Sequence, residues 1–420
     1  MVWPITREAA PPGAGQCKDH QESTYFRGSR RRFNWSFSLI IACAALLILA
    51  VSSVQQPANA GVQTVTVSGD RILLDGADVP IKGFIFQTFV EDEQQLHLCS
   101  KIEEYCARHI EARDFYFGRG KYKLDSGLKV ASDWGANTIR LNLNQAALDP
   151  VSPFYSQQYV AEITEAVSAA RNKGFVVIVA LFDGRNTNAP DVLLGRNPVT
   201  PLDNDTTLRA AKVLARQFGG DKGVMIELLN EPWSPTRRKI GWLLWRDGGT
   251  AKRGRFAGAQ FAGVNAMIDA IRGERARNVI IVQGLKASFK GFPAGLNDPL
   301  NQIVYSVHPF FGNGEPDRLD WDNNFGQFAE SHPFLVTAWN VLPKNNKWCP
   351  IWGINLPHRF LDYLGSKQIG IVAYALDVPH TMLVDFRKST AKSTEFADTC
   401  AIKGAPGELV RNHFTGRSSD

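Results

Sequence analysis

The chain has 420 residues, 47 Lys/Arg against 41 Asp/Glu, a formal net charge of +6 and 44% hydrophobic residues. Six Lys/Arg and three Asp/Glu fall within residues 1–60, so the leader carries half of the excess charge. The rest is spread too thinly to organise a nucleic-acid-binding surface. The length suits one large barrel with insertions better than a string of modules, and neither a solenoid-period repeat nor a low-complexity linker interrupts it.

Residues 1–60 read as an export leader. Arg27 and Ser29-Arg30-Arg31-Arg32-Phe33 precede a chargeless apolar stretch at 37–51, and Ala58-Asn59-Ala60 forms an A-x-A cleavage pattern. Ser-Arg-Arg-x-Phe also resembles a twin-arginine motif. The apolar core is shorter than the roughly 20 residues needed to cross a bilayer, so cleavage near Gly61 is expected, with an uncleaved membrane anchor as the alternative. Both place 61–420 in the periplasm or outside the cell, with the membrane touched only through an uncleaved leader. Cys99, Cys106, Cys349 and Cys400 follow the leader, an even set that suggests two disulfides in an oxidising compartment. Cys99 and Cys106 lie in a segment that reads as helical, where two turns separate them by about 10 Å, too far for a bridge. Either that segment is not one straight helix or one of the two pairs elsewhere. No spacing matches a zinc site, and no metal or cofactor is expected.

In chain order, residues 65–74 followed by Asp75-Gly76 read as a small hairpin, and 79–84 as a first barrel strand. A polar insertion at 88–122 caps one rim, and a helix at 124–134 ends at Gly135. The strand at 137–143 carries Arg140, a charge that is expensive to bury unless paired. A helix at 159–173 leads to a third strand at 174–182, and another at 206–218 feeds the apolar run 223–229. That run stops at Asn230-Glu231-Pro232, because proline has no amide to give to a ladder. Asn230 and Glu231 therefore stand at the carboxyl end of a buried strand, where parallel α/β barrels place their chemistry. A helical excursion containing Trp242 and Trp245 follows, expected to turn both tryptophans inward. Further strands are expected at 279–284, 303–308 (ending in His308), 333–340 and 370–377, with a closing helix at 407–414. The acidic residues Glu315, Asp317, Asp320 and Asp322 read as a solvated loop.

Residues 226–233, Ile-Glu-Leu-Leu-Asn-Glu-Pro-Trp, resemble the acid/base segment of glycoside hydrolase family 5, the cellulase-like retaining β-glycanases. Gly135-Ala136-Asn137-Thr138-Ile139-Arg140-Leu141, the His308 strand and Pro333-Phe334-Leu335-Val336-Thr337-Ala338-Trp339-Asn340 resemble further strands of the same family. The resemblance implies an α/β fold, a (β/α)8 TIM barrel with a short N-terminal β-hairpin and rim insertions, acting on a β-linked polysaccharide or oligosaccharide. It implies Glu231 as acid/base, Asn230 at the sugar 2-hydroxyl, Arg140 beside the nucleophile, and His308 in the pocket. It also suggests that Cys349 pairs with Cys400. Trp233 and Trp339 are candidates for stacking on sugar, and Tyr374 stands near the place of a family tryptophan. The family's nucleophilic glutamate belongs where this chain has Ala338, and Phe182 and Phe310 replace further family residues. A two-step retaining mechanism needs two carboxyl groups about 5 Å apart. The residues thus support a hydrolase with residual activity, or one that recruits another carboxylate such as Asp377 or one from the acidic loop, or else a non-catalytic carbohydrate-binding protein. Without the nucleophile's charge, and with Arg140 free to approach, Glu231 is expected to be more acidic than its family counterparts.

Overall fold

A computed structural model describes residues 64–87, 89, 121–152, 155–182, 202–254, 256–285, 288–310, 320–340, 355–377, 381–383 and 406–417. All belong to the compact unit Gln56–Asp420. The leader, all four cysteines discussed above, most of the 88–122 insertion, Glu315 and Asp317 lie outside the described residues. Among the described residues, no helix is long and apolar enough to cross a membrane.

A hairpin of β1 (Val65–Ser68) and β2 (Arg71–Leu74) precedes the barrel. Eight parallel strands then close in sequence order: β3 (Lys82–Phe86), β4 (Thr138–Asn144), β5 (Val176–Phe182), β6 (Val224–Leu229), β7 (Ile280–Gln283), β8 (Ile303–Val307), β9 (Phe334–Trp339) and β10 (Gly370–Ala373), with β10 pairing back to β3. The expected (β/α)8 barrel and its hairpin are present. β3 starts later than residues 79–84 suggested. Pro80 cannot donate to a ladder, and its carbonyl is held instead by the Asn137 side chain, so pairing begins at Lys82.

The helices form the outer ring: α1 (Lys121–Asp133), α2 (Gln157–Asn172), α3 (Asp205–Phe218), α4 (Arg238–Asp247), α5 (Val264–Gly273), α6 (Leu356–Ser366) and α7 (Pro406–Thr415). Their starts follow local chemistry. Ser156 caps α2 through the Tyr159 amide, and Asn204 with Thr207 forms a reciprocal capping box on α3. α1 is followed by Gly135 at φ +77°, a left-handed position that favours glycine. Trp242 and Trp245 on α4 are buried, edge to face with each other. Asp322 does more than sit in a solvated loop: it opens a π-helical turn (Asp322–Gly326) and accepts a 2.7 Å bond from the Tyr363 hydroxyl.

Two apolar layers divide the strand residues by alternation. Ile139, Leu141 and Leu143 of β4, with Phe84, Val336 and Trp339, face the helices. Ile85, Ile178, Met225, Ile281, Val304, Leu335 and Val372 fill the inside, with Val65, Leu74 and Ile81 in the same cluster. β4 alone among the barrel strands gives that inner cluster no residue. Its inward positions are Thr138, Arg140 and Asn142, all buried. Here the barrel interior turns polar.

Candidate active site

Arg140 is fully buried, so each of its N–H groups must find an acceptor. Nε donates to Glu227 Oε2 at 2.6 Å, Nη1 to Asn142 Oδ1 at 2.6 Å and Nη2 to Asn230 Oδ1 at 2.9 Å. Glu227, on β6 and likewise fully buried, is therefore the counter-charge in the barrel interior. β5 separates the two strands but places only the Ala180 methyl at the register of Asn142 and Glu227, which leaves room for the guanidinium. Asn142 in turn donates to Gln87 Oε1 at 2.5 Å, and the Gln87 amide is held by Asp377 Oδ1 at 2.9 Å.

A chain of hydrogen bonds climbs from Glu227 to the mouth. The Thr337 hydroxyl donates to Glu227 Oε1 at 2.8 Å; His308 Nε2 lies 3.0 Å from that hydroxyl, and His308 Nδ1 lies 3.1 Å from Glu231 Oε1. Burial lowers the His308 pKa, opposed by its bond to Glu231 and reinforced by the nearby Arg140 charge. Glu231 is the exposed end of this chain, with 43% of its side chain accessible. Its backbone has φ +51°, a left-handed conformation rare for glutamate, held by a bond from its amide to Gln283 Oε1. Strain of that kind collects at working sites, where the surrounding structure over-determines it.

Beside this chain the lining turns apolar, with Phe310 edge to face with His308 at 6.3 Å. β9 holds one residue more than β10 between the pairs Val336–Ile371 and Trp339–Ala373, a bulge that re-aims its side chains. Thr337 and Ala338 both face the interior as a result: Thr337 bonds to Glu227, and Ala338, 3% exposed, belongs to the inner apolar cluster. Phe310 and Tyr374, both partly exposed, pack on that cluster and meet edge to face at 6.3 Å.

Several expectations need correction. Trp339 is not placed to stack on sugar: the bulge turns it outward, where it is fully buried against Phe360 in the layer beneath the helices. Trp233, unlike Trp339, keeps part of its surface accessible, edge to face with Phe256. Arg140 is not free to approach Glu231, being held by Glu227, Asn142 and Asn230. Asp377 is 1% exposed and holds the Gln87 amide, which is poor placement for a replacement nucleophile. Arg140, Asn230, Glu231 and His308 are brought together as expected. Glu227, Thr337, Gln283 and Gln87 were not singled out by the sequence, although a carboxylate in the apolar run 223–229 was as conspicuous as Arg140 in its own strand. Among the described residues, no group of His, Cys, Asp and Glu could hold a metal ion.

A family model described as cellulase (glycosyl hydrolase family 5) matches residues 107–377. None of the curated proteins matches the chain. Among solved structures, a cellulase in complex with an inhibitor is similar at 17% identity and TM-score 0.54, over 85% of this chain and 100% of that one. The Pyrococcus horikoshii endocellulase with cellotetraose follows at 16% identity and TM-score 0.53, over 84% and 99%. The Saccharophagus degradans β-glucanase with cellotetraose has 16% identity and TM-score 0.50, over 84% and 93%. At these identities the likeness speaks for the barrel.

Proposed function

Since the chain belongs to glycosyl hydrolase family 5, we propose that it is an exported protein whose barrel mouth binds a β-linked oligosaccharide or polysaccharide and keeps the acid half of a hydrolytic site. Glu231 protonates the glycosidic oxygen of the leaving sugar. Asn230, oriented by Arg140, faces the sugar hydroxyl beside it. Ala338 stands where the attacking carboxylate of a retaining enzyme belongs, so C1 must be attacked by water or another small nucleophile, and turnover is slow. The observation that carries this reading is the half-exposed Glu231 carboxyl bonded to a buried histidine, in a barrel interior where β9 offers a methyl group at Ala338. Export rests on the basic, apolar and A-x-A sequence of the leader.

The test is an activated aryl β-glycoside with and without azide. Azide attacks C1 from the face opposite the leaving group while Glu231 delivers its proton, so the expected product is an α-glycosyl azide with azide-dependent aryl release. A covalent glycosyl-enzyme on any carboxylate of the native chain would overturn the reading. A second reading, a carbohydrate-binding protein without turnover, is favoured by the partly exposed Phe310 and Tyr374 rings. Measurable binding of cellotetraose with no azide-dependent release would select it.

A further inference from the structure

We propose that Thr337 and His308 form a relay, anchored on buried Glu227, that fixes the acidic proton on Glu231 and so does the work that the charge of a neighbouring nucleophile would otherwise do. The inference rests on the reading of Glu231 as the acid and assigns positioning roles to residues that reading leaves idle.

The argument is a count of protons along the chain of bonds. Glu227 is the counter-charge of a fully buried guanidinium at 2.6 Å, so it is ionised and can only accept. The Thr337 hydroxyl has a single proton, and at 2.8 Å from Glu227 Oε1 it donates that proton there. Its remaining capacity is to accept, so the contact at 3.0 Å is donated by His308 Nε2–H. A neutral His308 then has only a lone pair on Nδ1, 3.1 Å from Glu231 Oε1. An ionised Glu231 would set lone pair against lone pair; a protonated one donates to Nδ1 and completes the chain. The competing microstate has an imidazolium donating to a Glu231 carboxylate. It would add a cation to a buried site that already contains Arg140, and burial favours neutral His308. The titratable and charged groups facing His308 are Glu231, Glu227 and Arg140.

In the chemical step, the proton leaves Glu231 for the glycosidic oxygen as the C1–O bond breaks. The resulting carboxylate faces the Nδ1 lone pair, so reprotonation from water restores the resting state. The relay thus replaces the expectation of an acid left ionised by the loss of its partner.

The test uses the full chain labelled with 15N-histidine, with His308 assigned by the signal lost in His308→Gln. The expected result at pH 7 is neutral His308 with its proton on Nε2. Thr337→Val removes the acceptor, and His308 then shifts to a majority Nδ1–H form that donates to an ionised Glu231; Thr337→Ser restores the native tautomer. In azide-rescued cleavage, Thr337→Val should lower the upper pH limit by about one unit, with Thr337→Ser matching the native profile. An Nδ1–H tautomer or an imidazolium in the native protein at pH 7 would overturn the relay, as would a tautomer unmoved by Thr337→Val. The tautomer is read without turnover, so absence of azide rescue sinks the hydrolytic reading while the NMR result still decides the relay.

Discussion

The two walls of the barrel mouth are built on opposite principles. The wall formed by β4, β6, β8 and Thr337 is a connected polar network, running from Arg140 and Glu227 through Thr337 and His308 to Glu231. The wall formed by Ala338, Phe310, Tyr374 and Ala375 is apolar. A buried polar network is stable only when its members are satisfied, so it resists piecemeal change. An apolar wall has no such coupling, so its residues can change one at a time without leaving a buried polar group unsatisfied. On the function proposed above, this asymmetry lets the network around Glu231 persist beside Ala338.

The sharpest way to break the asymmetry is to put a carboxylate into the apolar wall. Ala338→Glu is expected to raise cleavage of an aryl β-glycoside at least ~10³-fold and to abolish the azide requirement, because both carboxyl groups of a retaining site are then present. Steady-state kinetics with mass-spectrometric trapping of the glycosyl-enzyme measures it; an unchanged rate in a folded variant would mean that Ala338 is not the vacant position. The converse experiment attacks the polar wall. Glu227→Leu leaves Arg140 buried without its counter-charge and should cost about 3–5 kcal/mol in denaturant unfolding. Arg140→Met combined with Glu227→Leu should cost much less, because the pair is removed whole.

The barrel was legible because parallel strands buried on both faces read as apolar runs, and residues 174–182 and 279–284 overlap β5 and β7 closely. The polar wall was half legible. Arg140 stood out as a charge in a strand, yet Glu227 was absorbed into the motif around Glu231, and pairing two opposite charges across the intervening strand β5 would have found it. The apolar wall was misread at Trp339 for a physical reason. Strict alternation from Leu335 puts Thr337 and Trp339 inside; the extra residue in β9 turns Ala338 in and Trp339 out. A bulge leaves no signature in residue type alone.

A third buried carboxylate sharpens the contrast between saturated and unsaturated sites. Burial pushes the pKa of Asp203, just before α3, up to about 7, opposed by a bond accepted from the Leu229 amide near the end of β6. A carboxyl whose folded pKa is raised contributes most below its unfolded value of 3.8, and that contribution is lost as pH rises toward 7. Native stability should therefore fall between about pH 4 and pH 7 by on the order of 4 kcal/mol from this group at most. Asp203→Asn should remove that part of the slope, measured as unfolding free energy against pH; an identical slope in the variant would show that Asp203 is solvated.

The smallest effect concerns what the apolar wall is for. If Tyr374 offers its partly exposed ring to a sugar face, Tyr374→Ala should weaken cellotetraose binding by about 1 kcal/mol, roughly fivefold in Kd. Trp339→Phe should leave Kd unchanged while lowering Tm, because Trp339 is fully buried against Phe360 and cannot reach a ligand in the mouth. Calorimetric titration of the two variants separates the roles. Equal loss of binding in both would place Trp339 functionally in the mouth and undo the inside-out assignment that the β9 bulge makes.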